Sequence, residues 1–283
     1  MGNKLSIGTA QFGLDYGINN SSGKISFKDA NEILKSSLSY GIKNIDTAAV
    51  YGDSEKMIGK LKEFNSEFNS FRITTKLKYS STRTLESQIS DSKIRLSVSN
   101  IDCLLFHSFQ DYLLFNLNKK PKYVTKIGVS LHSNEEIEKA INDPLIEVIQ
   151  APFNLLDNQS KRGLIFKKIK MKGIEIQVRS IFLQGLIFKN HRDLPLNLIP
   201  LVPFLTEIKK IAKKNRISLQ QLALSYVLSK TYIDTVLIGV DSLDQLSSNI
   251  KSFNNEMNWL AFEEVDSIIV DCPNLLNPVN WKR

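Results

Sequence analysis

The stretch NIDTAAVYGDSEKMIG, residues 44–59, decides how this chain is read, because its character changes three times within a few turns of backbone. An apolar run, residues 42–45, ends at an acid, Asp46. Tyr51 follows on polar ground, and Asp53, Ser54 and Glu55 then stand where side chains cap the start of a helix. The segment predicts a strand, a polar loop and a helix. A carboxylate at a buried strand end with a phenol on the next loop is the layout of a catalytic rim, since strand ends are rigid and loops are open to substrate. The same two residues also suit a strand-end cap and a cover for a core edge, and the segment alone leaves both readings open.

Outward from this stretch the alternation continues. Residues 5–9 read as a strand that carries residues 10–17 into solvent, where Phe12, Tyr16 and the glycines form a loop able to touch a ligand. Residues 27–40 form an amphipathic helix introduced by Ser26. Further strands are expected at 71–75, 101–106, 123–130, 148–151, 175–178 and 235–238, each a nearly continuous apolar run of the kind buried on both faces. Helices are expected around Met57, Ile58 and Leu61 and at 85–96, 134–141 with Asn134 as cap, 163–171, 204–214, 219–229, 243–250 and 262–270. Residues 108–122 are short for a loop plus a crossover helix, which leaves one wall of the pocket low. Strands that alternate with helices pair in parallel. No strand is followed by the G-x-G-x-x-G of a doubly wound dinucleotide fold, so a (β/α)8 TIM barrel is preferred. It forms one α/β domain over residues 1–283, with an N-terminal strand and loop and a short C-terminal extension.

Composition bounds the partners. At 283 residues and 42% hydrophobic content the chain can bury one large core, and single α/β barrels have about 250 residues. The net charge of +8 is spread along the chain. The lysines at 167–168 and 209–214 fall in helical patterns and read as solvated faces, so nucleic acid is not expected and a mild attraction for anionic cofactors or sugar phosphates is. Cys103 and Cys272 have no metal-type spacing, which points to reduced thiols, no metal and a cytoplasmic protein. No apolar run approaches the ~20 residues that span a bilayer. Gly2 and Ser6 match the N-myristoylation pattern, but the first strand already claims that segment and no second anchor accompanies it.

The stretch 44–59 resembles the signature segment of the aldo-keto reductases. The resemblance extends through GTAQFG at 8–13, TK at 75–76, LLFH at 104–107, GVS at 128–130, QAPFN at 150–154 and IGV…N at 238–249. It implies reduction of an aldehyde or ketone with NADPH or NADH, with Asp46, Tyr51, Lys76 and His107 in the catalytic positions. By the same resemblance Ser130 and Gln150 meet the nicotinamide carboxamide, and Gly8 and Thr9 lie near its ribose. Gly239, Asp241, Gln245 and Asn249 belong to the adenosine end. Many members carry Asn after the first serine where this chain has Leu131, and Tyr at the end of strand seven where it has Arg179. That arginine, with Ser180 and Gln184, is assigned to the cofactor, an acid partner on the rim being the alternative. The motifs QFGLDYGIN and RSIFLQG resemble a bacterial branch associated with surface-polysaccharide genes, which implies a sugar-like substrate.

The chemistry of the four residues is coherent. A free phenol, with a pKa of about 10, is a poor acid at neutral pH and needs a neighbour that favours its anion. Lys76 supplies the charge, Asp46 holds Lys76, and His107 donates a hydrogen bond to the carbonyl oxygen as it becomes alkoxide-like. Two rivals use the same barrel: a regulatory subunit that binds cofactor with little turnover, and an aldolase that uses Lys76 as a Schiff base. Residues 238–249 contain no base to hold a 2′-phosphate, so NADH is expected to serve at least as well as NADPH unless Lys230 or Lys251 reaches in.

Overall fold

The structure, a computed structural model, describes residues 4–18, 20, 23–252 and 258–281. Gly2, and with it the myristoylation pattern, lies outside the described residues. Among these residues the strands β1 (Leu5–Gly8), β2 (Asn44–Asp46), β3 (Arg72–Leu77), β4 (Ile101–Phe106), β5 (Val124–Ser130), β6 (Val148–Pro152), β7 (Glu175–Arg179) and β8 (Thr235–Gly239) close into a parallel barrel in sequence order. The helices are α1 (Ala10–Gly13), α2 (Phe27–Ser39), α3 (Ser54–Phe64), α4 (Leu85–Leu96), α5 (Phe109–Phe115), α6 (Asn134–Ala140), α7 (Gln159–Met171), α8 (Val202–Lys214), α9 (Leu219–Leu228), α10 (Leu243–Lys251) and α11 (Trp259–Asp266). This is the (β/α)8 barrel expected from the alternation. Among the described residues no helix is long and apolar enough to cross a membrane.

The strands are not apolar on both faces. Because successive side chains point to opposite sides, Ile7, Ile45, Ile73, Leu104, Phe106, Ile127, Val129, Ile149, Ile176, Val178, Val236 and Ile238 all join the outer core against the helices. The alternate positions turn inward, and among the described residues Cys103, Leu105 and Val148 make a small apolar cluster there. Their inward neighbours include Lys76, Ser130, Gln150 and Gln177, all buried. A polar interior is affordable because its members bond one another. Lys126 Nζ donates to Glu175 Oε2 at 2.6 Å, Gln177 Nε2 to Glu175 Oε1 at 3.2 Å, Gln150 Nε2 to Gln177 Oε1 at 3.2 Å and Gln150 Nε2 to Asp46 Oδ2 at 2.7 Å.

Local differences from the expected elements have physical causes. Residues 10–13 coil into α1 rather than run into solvent, and Phe12 is fully buried in the outer core, so it is not a ligand contact. Helix α6 is capped by Ser133 in a capping box with Glu136, and Asn134 instead accepts a bond from Arg162 Nη1 at 2.7 Å. Asp53 precedes α3 without capping it, its carboxylate being drawn to Lys24 at 3.1 Å. The short crossover after β4 does hold a helix, α5. The proline-bearing segment after β7 is organised as 3-10 turns at Leu183–Phe188, His191–Asp193 and Leu196–Leu201.

Gly128 sits in register between Leu105 on β4 and Val148 on β6, where an added Cβ would come within 2.1 Å of the Val148 carbonyl oxygen and 2.7 Å of Leu105 Cδ2. Gly128→Ala therefore forces two strands apart. We expect it to lower the urea midpoint by an amount corresponding to about 1–3 kcal/mol; an unchanged midpoint would show that the barrel wall yields there without cost.

Candidate active site

The C-terminal ends of the strands open into a cavity of about 930 Å³, toward the upper end of the ~300–1,000 Å³ typical of ligand sites. Asp46 ends β2, Lys76 is next to last on β3, and His107 follows β4. Tyr51 stands on the turn before α3, and all four line the cavity. The turn is fixed by contact with α1, where a Cβ on Gly13 would fall 1.7 Å from the Tyr51 carbonyl oxygen. Glycine at position 13 thus lets the two segments meet backbone to backbone.

At the centre, Lys76 Nζ donates to Asp46 Oδ1 and, at 3.0 Å, to the Thr47 carbonyl oxygen. Both side chains are almost wholly buried. Burial acts to lower the Lys76 ammonium, but the Asp46 charge and hydrogen bond, with Tyr51, outweigh it and hold the group above the usual lysine value. Lys76 Nζ lies 5.2 Å from the centroid of the Tyr51 ring, and the Tyr51 and His107 rings meet edge to face at 6.2 Å. Burial, reinforced by Lys76, pushes His107 down to about 4, so its imidazole is neutral at physiological pH. Among the described residues its Nδ1 is buried without a hydrogen-bond partner. No acceptor holds a proton there, which favours the tautomer with the proton on Nε2.

Every residue expected at the cofactor, together with Tyr16, lines this cavity; Phe12 does not. Their side chains differ in availability. The Thr9 hydroxyl is engaged by the Asp46 carbonyl oxygen and by Ser54, each at 2.9 Å, so Thr9 braces β2 and α3. Gln184 Nε2 donates to the Tyr16 hydroxyl at 2.8 Å while the Gln184 carbonyl accepts from Ile18 N at 3.2 Å, which clasps the loops after β1 and β7 together. Ser180, Leu183 and Gln184 all adopt positive φ, at 62°, 47° and 55°, each costing on the order of 1 kcal/mol. Strain of this kind gathers where a loop is shaped for a site.

Two orphan acceptors fit a nicotinamide dinucleotide. Gln150 Nε2 faces both Asp46 and Gln177, which turns Oε1 the other way, buried and without a partner among the described residues. It is an acceptor suited to a carboxamide NH2, with the Ser130 hydroxyl on the adjacent strand. At the far end Asp241 Oδ1 is likewise buried and unpartnered, while Oδ2 accepts from Gln245 Nε2 at 3.3 Å. An acceptor there suits a ribose hydroxyl, not a phosphate. Among the described residues no group of three His, Cys, Asp or Glu side chains is placed to hold a metal.

Several contributors carried no signal in the motif pattern. His132 lines the cavity and contacts Arg179, and Asn277, Pro278 and Val279 from the C-terminal segment form part of its wall. Buried Arg162 clamps Asp157 through Nε and Nη2, at 2.6 and 2.8 Å, and donates to the His132 carbonyl oxygen at 2.6 Å, holding the loop after β5. Glu55, buried on α3, accepts from Thr75 at 2.6 Å and Arg95 at 2.7 Å and so anchors the helix that follows Tyr51.

The chain is similar to known proteins along nearly its whole length. An L-galactose dehydrogenase from Arabidopsis thaliana is 25% identical over 287 aligned positions, covering 90% of this chain and 89% of that protein. An aldo-keto reductase from Bacillus halodurans, solved in its holo form, superposes with a TM-score of 0.72 at 19% identity, covering 95% of this chain and 94% of that one. A glycerol dehydrogenase from Gluconobacter oxydans gives 0.70 at 20% identity, covering 99% and 94%. The model of the Aldo/keto reductase family matches residues 4–270. With that match over a barrel whose mouth holds the aspartate, tyrosine, lysine and histidine together, the chain belongs to the aldo/keto reductase family and is an NAD(P)H-dependent oxidoreductase.

Proposed function

We propose that this protein reduces an aldehyde or ketone, sugar-like in its hydroxyl content, with Tyr51 as the proton donor. The observation that carries the reading is the placing of Asp46, Tyr51, Lys76 and His107, from three strand ends and a loop, around one cavity. A reduced nicotinamide, when bound, supplies the hydride. Gln150 Oε1 and Ser130 would hold its carboxamide, and Asp241 its adenosine ribose. The residues of the chain do the rest. His107, neutral and carrying its proton on Nε2, donates a hydrogen bond to the carbonyl oxygen, which gathers negative charge. Tyr51 then delivers a proton to that oxygen, and the Lys76 ammonium stabilises the phenolate left behind. Asp46 keeps Lys76 charged and pointed at the ring.

The clasp of Asp46 on Lys76 speaks against the Schiff-base reading, because imine formation needs a neutral amine and this one is held as an ammonium. The sugar-like substrate draws on two relatives whose names specify a sugar and a polyol, L-galactose and glycerol. At the adenosine end neither lysine weighed from the sequence lines the cavity. Lys230 bonds Asp266 at 3.2 Å and covers the Tyr226 ring at 4.3 Å, while Lys251 borders an adjoining surface depression that shares Ser248 with the cavity.

Three outcomes are expected. Tyr51→Phe keeps cofactor affinity, read by nucleotide fluorescence, and loses about 10²–10⁴-fold in turnover; near-normal turnover with chemistry rate-limiting would remove Tyr51 from the role. Lys76→Met also loses reduction, and the alkaline limb of its residual rate moves to higher pH, because removing the cation makes the phenolate harder to form; Asp46→Asn does the same more mildly. An unmoved limb in Lys76→Met would sink the coupling. In steady-state kinetics NADH serves at least as well as NADPH, and an NADPH preference beyond about 100-fold, the scale of one charge-assisted bond, would contradict the assignment of Asp241.

A further inference from the structure

Arg179 carries a charge that the protein does not answer. Among the described residues no carboxylate lies within ion-pair distance of it, whereas the buried Arg162 and the partly exposed Arg95 are matched with Asp157 and Glu55. Its guanidinium is held instead by neutral groups. Nη2 contacts His132 Nε2 at 2.9 Å and donates to the Leu131 carbonyl oxygen at 3.3 Å, and Nη1 reaches Ser180 Oγ at 3.4 Å. Burial pushes the guanidinium below its usual value, and burial with the charge of Arg179 pushes His132 down to about 3, so His132 is a neutral acceptor. Among the described residues the acids that line the cavity are Asp46 and Asp241. Asp46 is engaged by Lys76 and Gln150, and Asp241 sits with Gln245 before α10. With Lys76 and Asp46 cancelling, the polar centre is left with one positive charge.

The direction of the side chain separates this charge from the nucleotide phosphates. In barrels of this type phosphate is held by the loops after β7 and β8 and the start of the helix beyond. Arg179 leaves β7 but reaches across β6 to Leu131 and His132 at the end of β5, away from β8 and α10. Arg162 holds the His132 carbonyl oxygen from behind, so the receptor is braced rather than loose. A partly buried cation at a cavity wall, with no counter-ion on the protein, attracts an anion that enters the cavity.

We propose that Arg179, braced by His132, is an anion receptor at the substrate end of the cavity, and that the carbonyl substrate carries an acidic group, a carboxylate or a phosphate ester. This rests on the reductase reading and adds the charge of the substrate to it. The test is a pair of matched comparisons with the whole protein and saturating NADH: D-glucuronate against D-glucose for a carboxylate, and glyceraldehyde 3-phosphate against glyceraldehyde for a phosphate. In at least one pair kcat/KM favours the acid about 10- to 100-fold, and the ratio falls as salt is added. In Arg179→Met the ratio within that pair collapses toward one, and Arg179→Lys restores part of it. Because the ratio is internal to each enzyme form, a general loss of activity in a variant cancels. Wild-type ratios near one in both pairs, or a preference that survives Arg179→Met, would overturn the receptor and leave the reductase reading standing. Reduction of no member of either pair, while a wider panel of neutral carbonyls is reduced, likewise overturns the receptor alone. Failure of every carbonyl with either nucleotide overturns both.

Discussion

Both oxygens of the Asp46 carboxylate are engaged, one by the Lys76 ammonium and the other by the Gln150 amide, and the remainder of the site depends on that division. The pair lies in the wall of a barrel with almost no solvent access. Burying two charges costs several kcal/mol before their attraction is counted, so the pair is a poor device for stability. What it achieves is placement: a cation that cannot swing away from Tyr51, and an amide whose oxygen has only the cavity left to face. The hydrogen bonds continue through Gln177 and Glu175 to Lys126, so the orientation of Gln150 is set from the N-terminal end of the strands as well as from Asp46. The apolar stabilisation lies elsewhere, in the shell between strands and helices, which frees the interior to carry polar work.

Charge is then distributed in a readable way across the mouth. Lys76 is neutralised locally but still presents its field to the tyrosine. His107 and His132 are both held neutral, one beside the Tyr51 ring and the other as an acceptor for Arg179. Asp241 stands at the far end as an acceptor without a base beside it in the cavity lining. The cavity is therefore graded, with an unmatched positive charge at Arg179, where an acidic group of the substrate is proposed to sit, and an unmatched acceptor where the adenosine ribose is expected.

Much of this was legible in the chain. Asp46, Lys76 and His107 could be read because each closes or follows a short apolar strand, and a barrel brings successive strand ends to one rim whatever their spacing. Ser133 was legible in principle: Glu136 three residues on completes the capping box, whereas Asn134 is only a capping type next to it. Phe12 was misread because an aromatic among glycines looks exposed, and only the coil of α1 shows it turned into the core. The inward polarity was hidden by strands whose outer positions are so apolar that alternation is blurred. Gln177, His132 and the Asp157–Arg162 clamp had no local pattern at all, since each acts through partners that only the closed barrel brings near.

The most direct test of the account is to follow the hydride itself. The wild-type protein is given a carbonyl compound and NADH carrying deuterium at the transferable position of the nicotinamide ring, and the alcohol is examined by mass spectrometry and NMR. The account predicts that deuterium from one face of the ring appears on the former carbonyl carbon, one for each cofactor oxidised. An alcohol formed without the label, or cofactor bound with no carbonyl reduced across a broad panel, would contradict it.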